Sequence, residues 1–194
     1  LTPEGYDHAA DKIIPAADAL AARGVDAISL FGTSLTFYRG PQFNEDIQNE
    51  VRKRTGLPVS SMSTAIVEGL HAVGAKKVAV TTAYTKVVND KLRELLEFHG
   101  FEVGSLESFG ITEFGNGAGR KTESEIIELA DRAYENAPQA DAILISCGGL
   151  RTLGVAKPLE AKYGLPVVSS TQAALWDAVR LGGHSGHVSG YGRL

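Results

Sequence analysis

The chain has 194 residues and a formal net charge of −4, and 43% of its residues are hydrophobic. This length suits one α/β domain or two small lobes and allows a sizeable core. The acidic balance argues against a nucleic-acid or anionic-membrane partner, and no apolar stretch approaches the roughly 20 residues of a membrane span. The single cysteine excludes an internal disulfide and indicates a reducing, cytoplasmic compartment.

Strands and helices alternate along the sequence. Apolar runs predict strands at 25–31, 57–60, 78–82, 101–106, 141–146 and 165–169. Apolar residues at helical spacing predict helices at about 3–20, 43–51, 63–73, 87–96, 126–136 and 171–181, and a further helix that follows the cysteine turn and ends near residue 163. The connections include a polar turn at 32–40 and a glycine-rich loop at 109–119, and the chain ends in an irregular tail from 182. This alternation, with strands apolar on both faces, predicts an α/β fold with parallel sheets covered on both sides.

The sequence also contains an internal repeat. Residues 25–33 resemble 140–148, and residues 56–59 resemble 164–167. The first match makes Gly32 and Cys147 equivalent positions, each just after an apolar strand. A duplicated unit places its two strand-end turns face to face across a cleft, which is a natural ligand site.

The repeat predicts two pseudo-symmetric lobes. We expect the first lobe to contain residues 1–74 and 172–194, and the second to contain residues 75–171. The second copy has a strand-helix-strand section at about 76–121, whereas nothing comparable precedes Pro3. We therefore expect the first lobe to lack an N-terminal segment of about 40 to 45 residues, which would carry one or two strands.

Seven stretches spread over the whole chain carry a family resemblance. They are 1–7, 32–40, 62–65, 83–84, 146–150 (Ser-Cys-Gly-Gly-Leu), 176–181 and 190–194. With these motifs the sequence resembles the arylmalonate decarboxylases, within the aspartate/glutamate racemase superfamily. The resemblance implies two Rossmann-like lobes in the racemase-like arrangement, and the family would also carry the upstream segment.

The resemblance also implies a mechanism. Racemases of this superfamily use two cysteines, one per lobe, but the first-lobe position here is Gly32. That asymmetry is similar to the decarboxylase branch, in which a single cysteine protonates one face of an enediolate without metal, biotin or coenzyme A. The substrate implied is a small disubstituted arylmalonate, and a helix N-terminus beside Cys147 would stabilise its thiolate.

Site residues follow from the same resemblance. Cys147 would be the catalytic proton donor, in a thiol form at neutral pH. A dioxyanion hole of hydroxyl and backbone N–H donors, with no metal ligand, would hold the substrate carboxylate. The substrate-binding residues would be Gly32, Thr33, Ser34, Tyr84 and Gly148, with Phe114 of the glycine-rich loop in the pocket wall, where the family leads us to expect an aliphatic residue.

Several of these residues have simpler interpretations. A lone cysteine is more often a small buried hydrophobic residue than a catalytic one, although the Cys-Gly-Gly turn favours a functional one here. Thr33 and Ser34 could be helix N-caps, and Tyr84 could be an aromatic at the core edge. His184 and His187 have a spacing seen in metal sites, but we interpret them as solvated side chains of the tail. Arg39 could have a structural role or could lie at the mouth of the cleft.

Two other functions remain open at this stage. The first is a racemase or cis-trans isomerase of the same superfamily, against which the missing second cysteine argues. The second is a two-lobed protein that binds a carboxylate without turning it over. The intact Thr-Ser pair after Gly32 and the intact Cys-Gly-Gly turn favour catalysis over binding alone.

Overall fold

The computed structural model describes residues 3–112 and 116–194. Its helices are α1 (Pro3–Ala10), α2 (Ile13–Ala21), α3 (Thr33–Phe37), α4 (Pro41–Thr55), α5 (Met62–Ala72), α6 (Lys86–Phe98), α7 (Asn116–Gly119), α8 (Glu123–Glu135), α9 (Ala156–Tyr163) and α10 (Ser170–Leu181). Its strands are β1 (Ile28–Leu30), β2 (Val59–Ser61), β3 (Lys77–Thr82), β4 (Glu102–Ser108), β5 (Ala142–Ser146) and β6 (Val167–Ser169). Within these ranges no helix has the length and apolar character needed to cross a lipid bilayer.

The strands form two parallel sheets, which confirms the predicted α/β class. One sheet has the order β4-β3-β5-β6, and the other pairs β1 with β2. All five residues of β5 are buried, because its two faces belong to different core clusters. Leu144 packs with α5 and α6 on one face, and Ile143 packs with α8 and α9 on the other. Burial on both faces explains the continuous apolar run of this strand.

The duplication predicted from the sequence is present in the backbone. Ile28 pairs with Val59 in the first sheet, and Ile143 pairs with Val167 in the second, in the same repeat register. The glycine after α4 and the glycine after α9 both adopt the left-handed conformation, at φ 70° and 72°. Equivalent strands, pairing and helix ends therefore recur in the two copies.

Helices α5 and α10, the last helices of the two copies, pack against each other and join the sheets. Helix α10 contacts β1 and β2 as well as β6, and α5 contacts β6 as well as β2. Gly69 of α5 allows this approach, since a Cβ atom added there would lie 3.3 Å from Val168 and 3.6 Å from Ala173. Because α10 contacts both sheets, the division into residues 1–74 plus 172–194 and residues 75–171 stays a prediction.

Three local predictions were wrong in detail. The single helix expected over 3–20 is two helices, because Pro15 has no N–H and, in a continuous helix, its ring would clash with the carbonyl of Asp11. The polar turn at 32–40 contains α3, in which the Thr36 hydroxyl donates to the Thr33 carbonyl at 3.1 Å. The helix after the cysteine begins only at Ala156, since residues 147–155 form hydrogen-bonded turns.

Candidate active site

The two strand-end turns face each other, as the repeat predicts. Gly32 follows β1 and Cys147 follows β5. A Cβ atom added at Gly148 would lie 3.7 Å from the hydroxyl oxygen of Thr33, so the turn after Cys147 and the turn after Gly32 are in contact. The carboxyl ends of parallel strands are where open α/β sheets bind ligands. This region is therefore the candidate site.

Cys147 is partly buried in the turn after β5. Burial raises the pKa of its thiol, and hydrogen bonds from the N–H groups of Gly149 and Leu150 and from the Tyr84 hydroxyl partly oppose that rise. The expected helix N-terminus is absent from its side, because α9 begins nine residues later in the chain. The N–H groups of the turn and the Tyr84 hydroxyl donate to the sulfur in place of a helix N-terminus. The thiol is protonated at neutral pH and can act as an acid.

Tyr84 lies directly beside the thiol. The residue is 3% exposed, and its hydroxyl oxygen is 3.4 Å from that of Ser146. Burial, followed by the nearby Cys147, raises the pKa of Tyr84 well above its ordinary value, whereas hydrogen bonding with Ser146 and Thr33 opposes the rise. Tyr84 therefore presents a neutral hydroxyl to Cys147 from the turn after the neighbouring strand β3, while its ring belongs to a buried core cluster.

The backbone of Tyr84 is held by buried polar side chains. The Thr82 hydroxyl accepts the Tyr84 N–H at 3.2 Å and donates to the Asn89 amide oxygen at 2.6 Å. The Asn89 amide then donates to the Tyr84 carbonyl at 3.3 Å. This ring of hydrogen bonds fixes the turn between β3 and α6, from which the Tyr84 side chain reaches the site.

Thr33 and Ser34 occupy the first positions of α3. Neither is the N-cap, because Gly32 holds that position, so the N-cap interpretation is wrong. Thr33 is 3% exposed and its hydroxyl lies between Met62 and Tyr84, whereas the Ser34 side chain turns toward Tyr6. Of the two hydroxyls, that of Thr33 faces the turn after Cys147.

Gly148 is an exposed residue, and the Met62 side chain packs closely against it. An added Cβ atom would lie 3.0 Å from the methyl carbon and 3.1 Å from the sulfur of Met62, closer than side chains normally approach. Gly32 has φ +144°, and a Cβ atom there would lie 3.2 Å from that of Leu35. A side chain at either glycine would thus be strained, which leaves both turns open at the cleft.

Tyr6 is a site residue that the sequence analysis missed. Its hydroxyl is buried without a hydrogen-bond partner among the described residues, although the Ser34 side chain is near enough to lower its pKa. Burial raises the pKa of Tyr6, and the nearby Tyr38 and Cys147 add to the rise. Tyr6 also stacks on Tyr38 at 4.2 Å. Helical spacing predicts only that Tyr6 is buried, not that it lies near enough to Cys147 for the two groups to interact electrostatically.

The structure does not bring the remaining candidate residues that it describes to the site. Phe114 lies outside the described residues, while Gly119 of the same loop approaches the carbonyl of Gly149. Arg39 is structural, since its guanidinium pairs with Asp7 and lies 4.9 Å above the Phe43 ring. No group of metal-ligating side chains was found within residues 3–112 and 116–194, and His184 is exposed in the tail.

Comparison with known proteins decides the family. The family model described as arylmalonate decarboxylase matches residues 1–194. The chain belongs to the arylmalonate decarboxylase family. It is 44% identical to the arylmalonate decarboxylase of Bordetella bronchiseptica over 195 residues, which cover 100% of this chain and 81% of that protein. Membership of this family identifies the protein as a carboxy-lyase, and the expectation from the motifs is confirmed.

Solved structures of arylmalonate decarboxylase superpose on this chain, and so do structures of a second class of enzyme. A double mutant of arylmalonate decarboxylase in the liganded form, glycine to cysteine and cysteine to serine, superposes with a TM-score of 0.96 at 42% identity, over 99% of this chain and 82% of that one. The maleate cis-trans isomerase of Nocardia farcinica has a TM-score of 0.92 at 22% identity, over 100% of this chain and 80% of that one. The second likeness shows that the decarboxylase family shares its fold with maleate isomerases.

Proposed function

We propose that this enzyme decarboxylates small disubstituted arylmalonates through an enediolate, and that Cys147 delivers a proton to one face of it. The observation that carries the proposal is the asymmetry of the two turns. A neutral, partly buried thiol stands on one side, and Gly32 stands at its repeat-equivalent position. Only one face of a planar intermediate between the turns then meets an acid.

The reaction balances without a redox partner. The bond between the α-carbon and one carboxylate breaks, carbon dioxide leaves, and the electron pair stays on the α-carbon, delocalised into the remaining carboxylate. Cys147 gives its proton to the α-carbon, and the thiolate regains a proton from solvent. The N–H groups of Gly149 and Leu150 stabilise that thiolate while it exists.

The remaining carboxylate carries the developing charge, and the site offers donors for it. Thr33 and Tyr84 supply hydroxyls near the thiol, and Gly148, an exposed residue with no side chain to hinder approach, supplies a backbone N–H. One donor of this kind typically contributes about 3 to 4 kcal/mol to transition-state stabilisation. We propose that these donors take the place of a cofactor that would accept electrons, so the reaction needs no metal, biotin or coenzyme A.

A racemase or cis-trans isomerase is the alternative. Racemisation by proton transfer needs an acid or base on each face of the α-carbon, and Gly32 offers no proton on the first-lobe side. A protein that only binds carboxylates would not need a protonated thiol beside a neutral tyrosine. The geometry supports one-sided proton delivery better than either alternative.

A single assay separates these functions. The protein is incubated with methylphenylmalonate without added cofactor, and carbon dioxide release and the configuration of the 2-phenylpropionate product are followed. We expect release of one equivalent of carbon dioxide and one product enantiomer. Racemisation of an amino acid without carbon dioxide release would support the racemase, and binding without either reaction would support the carboxylate-binding protein.

The pH dependence of kcat/KM tests the acid role of Cys147. Burial raises the pKa of this thiol, so its protonated form persists to a higher pH than that of an exposed cysteine. We therefore expect kcat/KM to stay level through neutral pH and to fall tenfold per pH unit once the pH passes that raised pKa. A decline that begins below the ordinary thiol range of about 8.5 would contradict the assignment.

A further inference from the structure

Met62 lies between the two turns of the site, at the start of α5. The Gly32 N–H donates to its sulfur at 3.1 Å, and the Thr33 hydroxyl points to the same sulfur at 3.6 Å. Its methyl carbon is the atom nearest to a Cβ added at Gly148. One side chain, 1% exposed, thus contacts both turns.

The chemistry of a thioether suits this place. Sulfur is a weak hydrogen-bond acceptor, so the Thr33 hydroxyl is oriented by Met62 without being held strongly. A carboxylate oxygen that gains charge is a far stronger acceptor and can take over the same proton. An amide or carboxylate side chain at position 62 would compete with the substrate for that donor.

The repeat makes the choice of residue informative. The pairing of Val59 with Ile28 and of Val167 with Ile143 aligns the start of α5 with that of α10, so Met62 corresponds to Ser170. The first copy thus has a long, flexible side chain where the second has a short one. Met62 fills the space directly behind Gly148.

We propose that Met62 is a positioning residue of the decarboxylation site, which holds the Gly32–Thr33 turn against the Cys147–Gly148 turn and keeps the Thr33 hydroxyl available to the enediolate. This inference rests on the proposed function. In this role Met62 acts through Thr33 and Gly148.

The test compares three forms of the enzyme with methylphenylmalonate. Met62→Leu keeps a similar volume but removes the acceptor, and we expect kcat to fall about tenfold with KM within twofold. Selenomethionine at position 62 keeps both size and weak acceptor character, and we expect kcat within twofold of the unmodified enzyme. Ile66→Val, a fully buried position one turn further along α5, is the matched control for core packing and should also keep kcat within twofold.

A purely structural role gives a different pattern. Met62→Leu would then lower the thermal midpoint about as much as Ile66→Val and leave kcat and KM unchanged. That result would overturn the inference while leaving the proposed function intact.

A second measurement does not depend on turnover. Met62 is the only methionine of the 194 residues, so its ¹³C-labelled methyl group gives an assignable resonance that Met62→Leu removes. We expect this resonance to shift when 2-phenylpropionate is titrated in. Absence of carbon dioxide release from the unmodified protein would refute the proposed function. Absence of the methyl shift at saturating ligand would refute the proposal that Met62 positions the two turns of the site.

Discussion

Replacing Cys147 with serine is expected to lower kcat for methylphenylmalonate by about 100- to 10,000-fold, the range that a positioned general acid contributes. Serine has nearly the same size, but its hydroxyl is a much weaker acid than a thiol, so the α-carbon has no adequate proton donor. Cys147 is partly buried, and the side chain packs against both core clusters of the second sheet. The substitution should therefore leave the fold intact.

Two controls accompany this prediction. Circular dichroism and the thermal midpoint should match those of the unmodified protein, and binding of 2-phenylpropionate measured by calorimetry should change little, because Thr33, Tyr84 and Gly148 are unaltered. Cys147→Ala should lose activity to a similar degree. Full turnover by either variant would remove Cys147 from the mechanism and leave the raised thiol pKa as a consequence of burial alone.

Replacing Tyr84 with phenylalanine is expected to lower kcat by about 100- to 1,000-fold, the usual effect of removing one oxyanion donor. The ring packs against Phe37 at 5.8 Å between centroids, and phenylalanine preserves that contact. The loss should fall on kcat rather than on KM, since the donor matters most when charge develops on the carboxylate.

The same variant should also shift the pH profile. The Tyr84 hydroxyl lowers the pKa of Cys147, so its removal should raise that pKa further and move the alkaline decline of kcat/KM to higher pH. The matched control is Tyr134→Phe, which removes a hydroxyl that donates to the carbonyl of Pro138 at 3.1 Å on the surface. An equal loss of activity in both variants would point to general destabilisation.

Local patterns predicted much of the chain because their causes are local. Thr122 and Glu125 form a capping box at the start of α8, in which each side chain bonds the backbone of the other residue. The apolar runs became strands, shortened or extended by a few residues at their ends. The helix predicted over 3–20 is interrupted at residues 11–12, one turn before Pro15, whose effect was present in the sequence but outweighed by the apolar spacing.

The site itself was predicted unevenly. Thr33, Tyr84 and Gly148 were expected near Cys147 and lie there, because each follows the carboxyl end of a parallel strand. Ser34 lies one residue further, and the helical turn of α3 directs its side chain toward Tyr6. In the sequence, Tyr6 is only one position of a helical pattern and Met62 only one position of the motif at 62–65. Neither was expected at the site, since residue spacing along one element carries no information about its contacts with another element.

The sequence by itself determined the order of strands and helices, the duplication, the family and the asymmetry between Cys147 and Gly32, because these depend on short-range patterns and on the comparison of one stretch with another. Only the tertiary structure decided which hydroxyls reach the thiol, that turn N–H groups rather than a helix N-terminus face it, and that Met62 fills the space between the two turns. Those features arise where elements far apart in the chain cross. Their distances depend on how α5 and α10 pack between the sheets, which no local pattern specifies.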